Sequence, residues 1–180
     1  MSKYEKCIIF VGGIHGVGKS HLCRNFCDAF RYEHIIASEL IKGNDSRREN
    51  EVKKKQVMDI GPNQDILIHK LQTIIEPGRC YLLDGHFTLF DSKFNVQLIP
   101  IATFQDIKPS ILIVLKDAPL DIKERLKARD GIDYDVGLLD SMQRSEIDHA
   151  TRVGQHLGIK LHEISVKNPE DLQHVLTKEK

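Results

Sequence analysis

A glycine-rich loop between a strand and a helix is the feature that most restricts the fold of this chain. Residues 7–20 read CIIFVGGIHGVGKS, and the stretch from Gly13 to Ser20 satisfies the pattern GxxxxGK[ST]. An apolar run precedes the loop and a helical pattern follows it, which is the context that this pattern requires. The glycines let the backbone turn so that successive N–H groups point at phosphate oxygens, and the helix dipole adds positive potential there. The loop predicts a site for a nucleoside triphosphate.

Individual loop positions have separate expected roles. Lys19 is expected to reach the β- and γ-phosphates of ATP, and the hydroxyl of Ser20 is expected to ligate Mg²⁺. The alternative is a glycine-rich turn that matches by chance, and the flanking strand and helix disfavour it. The residues of this segment expected to bind the nucleotide are Gly13, His15, Gly16, Val17, Gly18, Lys19, Ser20 and His21.

A second metal ligand is expected where another strand ends. Residues 80–86 read CYLLDGH, so four residues of strand character precede Asp84 and would hold its carboxylate beside the phosphate loop. The alternative is a turn-forming aspartate at a strand end. His86 either contacts the substrate or caps the turn. The sequence therefore predicts Mg²⁺ held by Ser20 and Asp84.

Short β-rich runs alternate with helical patterns along the chain. This alternation predicts an α/β fold with a parallel sheet covered on both faces. The predicted strands are Cys7–Val11, His34–Ala37, Cys80–Asp84, Ile111–Leu115 and Lys160–Ile164. The predicted helices are Gly18–Phe30, Pro62–Glu76, Pro100–Ile107, Pro119–Arg129, Leu138–Leu157 and one that follows Asn168.

Size and charge narrow the class of protein. A chain of 180 residues is expected to form a single domain, 1–180. Its 26 basic and 26 acidic residues argue against long nucleic acids as partners, but not against a small polyanion. No apolar segment is long enough to predict a signal peptide or a membrane span, so we expect a cytoplasmic protein. The four cysteines include no CxxC pair, which favours buried thiols over a zinc site.

A polar insertion and a short glycine-containing segment are candidate covers for the site. More than thirty residues separate the second and third predicted strands, and residues 42–56 hold six basic and three acidic side chains. Residues 38–76 are therefore expected to form the acceptor-binding insertion. Residues 125–137 are expected to form a short lid, because DGIDYDVG follows two arginines that stand one helical turn apart.

The arginines admit two interpretations. Guanidinium groups neutralise the charge that develops on a transferring phosphoryl group, and this favours a functional role for Arg125 and Arg129 beside the lid. The alternative is that Asp121–Arg125 and Arg144–Asp148–Arg152 are surface ion pairs at helical spacing. Both interpretations stay open for Arg144.

Nearly the whole chain resembles the small nucleoside monophosphate kinases of the P-loop class, most closely the archaeal-type adenylate kinases. The similarity is carried, in the family's order, by IIFVGGIHGVGKS, ASELI, VMDIGPNQDILIHKL, LLDGH, IPIATFQDIKPSILIVL, RLKARD and IDHATRVGQHLGIKLHEISVKN. Only the first of these motifs is highly specific. The resemblance implies a three-layer α/β/α P-loop NTPase fold whose five parallel strands are arranged in the order 2-3-1-4-5.

The resemblance also implies roles for individual residues. Arg125, Arg129 and Arg144 would clasp the transferring phosphates, and Asn168 would lie near the adenine of ATP. Residues of the insertion, with Ser38 first among them, would contact the acceptor. The acceptor pocket would comprise Ser38, Arg47, Arg48 and His86.

Several positions depart from the family pattern. His15 stands in the loop where a proline is common, and His21 stands where a second hydroxyl residue is common. The segment Asp84-Gly85-His86-Phe87-Thr88 lacks the arginine that bacterial adenylate kinases carry, so AMP as the acceptor is in doubt.

The leading hypothesis is a kinase that moves the γ-phosphate of Mg-ATP to a nucleoside monophosphate. One alternative is a P-loop ATPase or nucleotide switch that acts through a protein partner. Another is a kinase of a different small metabolite. The sequence leaves the oligomeric state open.

Overall fold

Seven strands and seven helices make up the described part of the computed structural model, which covers residues 7–42, 60–91 and 95–178, with Ile60 described by its backbone alone. The strands are β1 (Cys7–Gly12), β2 (Glu33–Ile36), β3 (Cys80–Asp84), β4 (Thr88–Phe90), β5 (Val96–Leu98), β6 (Ile111–Lys116) and β7 (Leu161–Ser165). The helices are α1 (Lys19–Phe30), α2 (Ala37–Lys42), α3 (Ile60–Ile74), α4 (Ile101–Ile107), α5 (Pro119–Asp130), α6 (Val136–Leu157) and α7 (Pro169–Lys178).

A parallel sheet forms the centre of the fold. Its order is β2-β3-β1-β6-β7, and every neighbouring pair runs parallel. This is the predicted order 2-3-1-4-5, because β4 and β5 pair only with each other in an antiparallel hairpin. The predicted α/β fold is therefore confirmed. The bounds of the outer strands β2 and β7 each differ from the prediction by one residue.

Alternate residues of the strands face two separate cores. On one side, Ile9 and Val11 of β1 pack with Phe26 of α1 and with buried residues of α5 and α7. On the other side, Ile8 and Phe10 pack with buried residues of α3, α4 and α6. Because both faces are covered, the central strands are apolar at consecutive positions rather than at alternate ones.

The β4–β5 hairpin and helix α2 were not predicted. Each strand of the hairpin has only three residues, and α2 has six, so neither is long enough to show a clear period. Helix α2 begins at Ala37, which the sequence assigned to the end of the second strand. The tight succession of β2 and α2 places Ser38 beside the carboxyl end of the sheet.

The register of the central strands brings three strand ends together. Val11 of β1 lies opposite Asp84 of β3, and Ile36 of β2 lies opposite the same residue. The glycine-rich loop leaves β1 one residue beyond this level. Asp84 therefore stands beside the start of the loop, at the carboxyl edge where parallel α/β sheets bind their ligands.

Two further observations on the described residues concern the cysteines and the helices. All four cysteines are free thiols, and Cys7 and Cys23 are buried. Burial raises the pKa of the Cys27 thiol to about 11. Among the described residues, no group of three or more histidine, cysteine or acidic side chains is arranged to hold a metal ion. No helix in this part of the chain combines the length and apolar character needed to cross a membrane.

Candidate nucleotide-binding site

The glycine-rich loop wraps around the amino-terminal end of α1. Gly13, Gly16 and Gly18 have φ angles of 145°, 78° and 109°, in the region that side-chain-bearing residues rarely adopt. At Gly16 there is also no space, because a Cβ atom there would stand 2.6 Å from Cγ of Leu126. The three glycines therefore allow the backbone conformation in which the loop can face a phosphate chain.

Lys19 begins α1 and turns its side chain back into the loop. Its Nζ donates to the carbonyl oxygen of Gly13 at 2.5 Å and lies 3.3 Å from that of Ile14. Burial lowers the pKa of the Lys19 ammonium, and the nearby carboxylates of Asp84 and Glu146 oppose that shift. The ammonium of Lys19 is thus held within the loop. When a nucleotide binds, it would exchange the two carbonyl oxygens for phosphate oxygens.

Ser20 and Asp84 meet as the sequence predicts. The hydroxyl of Ser20 donates to Oδ2 of Asp84 over 2.6 Å, and the carboxylate is only 5% exposed. Nε2 of His34 lies 3.7 Å from the same oxygen and has no hydrogen-bond partner. One hydroxyl and one carboxylate beside a phosphate loop are the hard oxygen donors with which Mg²⁺ is usually held, together with phosphates and water. The pair therefore fits a magnesium ion.

Two histidine rings lie against each other at a tilt beside the loop. The ring centroids of His15 and His86 lie 4.3 Å apart, with the planes at 45°. The outer side of His15 is open to solvent, but the protein packed around the ring lowers its pKa to about 4, and Lys19 and Arg129 lower it further. Burial also lowers the pKa of His86 well below its ordinary value, and the positive charge of Lys19 lowers it further. Both rings are neutral near pH 7.

Arg125 contacts the loop directly. Its Nε donates to the carbonyl oxygen of Gly16 at 2.8 Å, and its Nη2 donates to Oδ2 of the buried Asp117 at 2.7 Å. Lys167 lies 3.8 Å from the other oxygen of Asp117 and pairs with Asp121 at 2.5 Å. Under the alternative interpretation Arg125 pairs with Asp121, whereas in the structure its carboxylate partner is Asp117, directly after β6, and Asp121 pairs with Lys167.

The other two candidate arginines pair with nearby aspartates. Arg129 donates from Nε and Nη2 to the two carboxylate oxygens of Asp130, each at 2.6 Å. Arg144 on α6 pairs with Asp140 at 2.6 Å, with 75% of its side chain exposed. The ion pair of the alternative interpretation is thus present for Arg144, but with Asp140, one turn earlier than Asp148. The phosphate-clasping roles of both arginines stay predictions.

The remaining candidate residues lie around the edge of the site or outside the described residues. Val17 is a buried residue of the loop. His21 is exposed and lies 3.2 Å from the side chain of Asn25. Ser38 and Asn168 are exposed at the ends of β2 and β7. The proposed acceptor residues Arg47 and Arg48 lie outside the described residues.

Sequence reasoning missed three residues that organise the site, namely Glu146, Asp117 and His34. Glu146 is 1% exposed and accepts hydrogen bonds from the backbone N–H groups of Gly13 and Phe87. A signal for it exists, since Glu146 lies on the same stripe of α6 as the buried Met142, Ala150 and Val153. An acidic residue on an apolar stripe indicates a buried carboxylate with partners.

Comparisons with known proteins agree with this geometry. A family model described as an AAA domain matches residues 12–142, from the start of the loop into α6. The chain belongs to this AAA-domain family. No curated protein matches the chain.

A solved structure supports the fold of this AAA domain. The chain is similar to a gluconokinase from Sinorhizobium meliloti 1021, with 14% sequence identity and a TM-score of 0.51. The similarity covers 89% of this chain and 83% of the gluconokinase. At that identity the likeness shows the fold alone, which is the α/β fold with a parallel sheet described above.

Proposed function

We propose that the protein is a phosphotransferase that moves the γ-phosphoryl group of ATP to a small acceptor, with a nucleoside monophosphate as the first candidate acceptor. The observation that carries the proposal is the meeting of Lys19, Ser20 and Asp84 at the mouth of the loop. Nζ of Lys19 lies within the loop, and the Ser20 hydroxyl contacts Asp84 over 2.6 Å. These are the groups that neutralise charge during phosphoryl transfer.

ATP is the expected donor, and its phosphates would lie against the loop and the first turn of α1. Mg²⁺ would be held by Ser20 and Asp84, and it would neutralise the charge of the terminal phosphates. Arg125 holds the loop by its bond to Gly16. Arg129 would exchange Asp130 for a phosphate oxygen, an exchange of one anionic partner for another.

The acceptor side of the site lies at the ends of β2 and β3. Ser38 and His86 come from these two ends, and the chain beyond α2 continues into the basic stretch of residues 42–56. Cationic side chains from that stretch would bind the phosphate of a nucleoside monophosphate. The basic composition of residues 42–56 supports the nucleotide acceptor.

A second candidate acceptor is a small hydroxyl compound that carries no phosphate. The imidazoles of His15 and His86, both neutral near pH 7, lie 4.3 Å apart beside the loop, and residues 33–42 and 84–90 contain no arginine. Neutral hydrogen-bonding groups suit the hydroxyls of an acceptor that carries no phosphate. The name of the similar gluconokinase makes a sugar acid a suitable compound to test.

An acceptor screen tests both candidates together. ATP and Mg²⁺ are supplied with each nucleoside monophosphate, and separately with nucleosides and gluconate, while ADP and the phosphorylated product are followed by ³¹P NMR. The proposal expects ADP formation that depends on one class of acceptor. Release of inorganic phosphate at the same rate with and without every acceptor would contradict it and would favour an ATPase or a nucleotide switch.

A further inference from the structure

The carboxylate of Glu146 joins the phosphate loop to the segment that follows β3. Its Oε1 accepts the backbone N–H groups of Gly13 and Phe87, each at 2.9 Å. Its Oε2 accepts the backbone N–H and the hydroxyl of Thr88, each at 2.6 Å. Four donors therefore satisfy a carboxylate that is only 1% exposed.

One oxygen atom serves both sides of the site. Gly13 opens the loop expected to hold the donor nucleotide, and Phe87 directly follows His86 on the acceptor side. Because both N–H groups share Oε1, a movement of either one changes the hydrogen bond of the other. Glu146 belongs to the long helix α6, so the phosphate loop and the segment that follows β3 are both held against the same helix.

The start of the phosphate loop also packs closely against the segment that follows β3. The ring of Phe87 is fully buried, and a Cβ atom at Gly12 would stand 2.3 Å from Cδ2 and Cε2 of that ring. The backbone at the start of the loop thus lies directly on the Phe87 side chain. A shift of the loop has no free space on this side and must be transmitted to residues 86–88.

We propose that Glu146 is a positioning residue that couples nucleotide binding at the loop to the placement of residues 85–88, which carry His86. The inference rests on the proposed function only in that a nucleotide binds the loop. Glu146 touches no substrate in this scheme. It acts through the N–H groups of Gly13, Phe87 and Thr88.

The chemistry of the side chain explains why a carboxylate is needed. All four bonds use Glu146 as the acceptor, and an ionised carboxylate offers only acceptors. A glutamine has the same shape, but its NH₂ group must face either Thr88 or the pair formed by Gly13 and Phe87. At least one buried N–H group then loses its partner.

Hydrogen exchange measured by mass spectrometry tests the coupling in the full-length protein with MgADP as the probe. In the wild type, saturating MgADP is expected to slow exchange in both the loop, residues 12–20, and the segment 85–91. In Glu146→Gln the loop is still protected at saturation, but the protection of 85–91 is lost. The MgADP dissociation constant, measured by calorimetry, rises by roughly tenfold because a buried donor is left unpaired.

A matched control separates coupling from general destabilisation. Val153 is fully buried on the same helix, seven positions beyond Glu146. Val153→Ala removes no hydrogen bond to the loop or to residues 85–91, and it is expected to lower the melting temperature while both segments keep their MgADP-induced protection. If Glu146→Gln does not fold, Glu146→Asp is measured instead, because it keeps the charge but is too short to reach both segments.

The outcomes are distinct. Protection of residues 85–91 by MgADP in the Glu146 variant at the wild-type level would overturn the inference, as would equal loss in the Val153 variant. Failure of the wild type to bind MgADP would contradict the proposed nucleotide site as well. Loss of protection at 85–91 in a Glu146 variant whose loop is still protected at saturating MgADP would leave the proposed function untouched and would support the inference.

Discussion

Ser20 and Asp84 are 64 positions apart in the chain, and yet the hydroxyl of one donates to the carboxylate of the other over 2.6 Å. The contact joins the first turn of α1 to the end of β3, and it exists because β1 and β3 are neighbours whose register places Val11 opposite Asp84. The pair lies at the mouth of the loop that contains Lys19. It is the geometry from which the proposed metal site follows.

Asp84→Asn is expected to remove most of the effect of Mg²⁺ on ADP binding. Loss of an outer-shell partner alone lowers metal affinity by about 10–100-fold, so loss of a direct ligand should cost at least about tenfold. Calorimetric titration of ADP with and without Mg²⁺ measures the difference. Asp106→Asn changes an exposed carboxylate on α4 and serves as the control. An unchanged magnesium effect in Asp84→Asn would remove this residue from the site.

The sequence indicates the core of this site because its residues belong to local patterns. The loop from Gly13 to Ser20 has fixed spacing, and Asp84 ends an apolar run, so both are visible without coordinates. The partners that complete the site come from distant segments. Glu146 lies 133 positions from Gly13, and no local pattern links the two. The same reason explains why Asp117 was missed as the partner of Arg125, since the choice between two nearby carboxylates depends on tertiary packing.

Gly16→Ala is expected to damage both folding and nucleotide binding. A left-handed φ costs an alanine roughly 1–2 kcal/mol, and at Gly16 the new methyl group would also stand 2.6 Å from Leu126. Gly131→Ala is the matched control, since Gly131 has a φ of 72° but no atom within 4 Å of the new Cβ. Chemical denaturation should show a larger loss for Gly16→Ala, and only that variant should lose MgADP affinity. Equal losses for the two variants would contradict the role assigned to the contact with Leu126.

Arg125→Ala is expected to weaken MgADP binding, because it removes a hydrogen bond to Gly16 and leaves the buried carboxylate of Asp117 short of one partner. Such a loss costs about 1–3 kcal/mol of stability. Arg144→Ala removes only an exposed pair with Asp140 and should cost about 0.5 kcal/mol or less. Denaturation and calorimetry of the two variants measure this contrast. A fall in transfer rate for Arg144→Ala at unchanged stability would then report contact with a phosphate.

Acidification should destabilise the protein partly through His15. Its pKa is lowered to about 4 in the folded chain from an ordinary value of 6.5. The unfolded chain therefore binds the proton more readily between these values, so stability falls as the pH is lowered from 6.5 towards 4. His15→Asn should show a smaller fall in melting temperature over that range. A fall as large as that of the wild type would show that His15 does not contribute.

Transfer of labelled phosphate from [γ-³²P]ATP tests directly whether the protein is a phosphotransferase. Wild-type protein and Lys19→Ala are incubated with ATP, Mg²⁺ and the panel of nucleoside monophosphates and unphosphorylated acceptors, and the labelled products are separated by chromatography. We expect the wild type to place the label on an organic acceptor, and Lys19→Ala to do so at least about a hundredfold more slowly. Label found only in inorganic phosphate, or equal transfer by the two proteins, would contradict it.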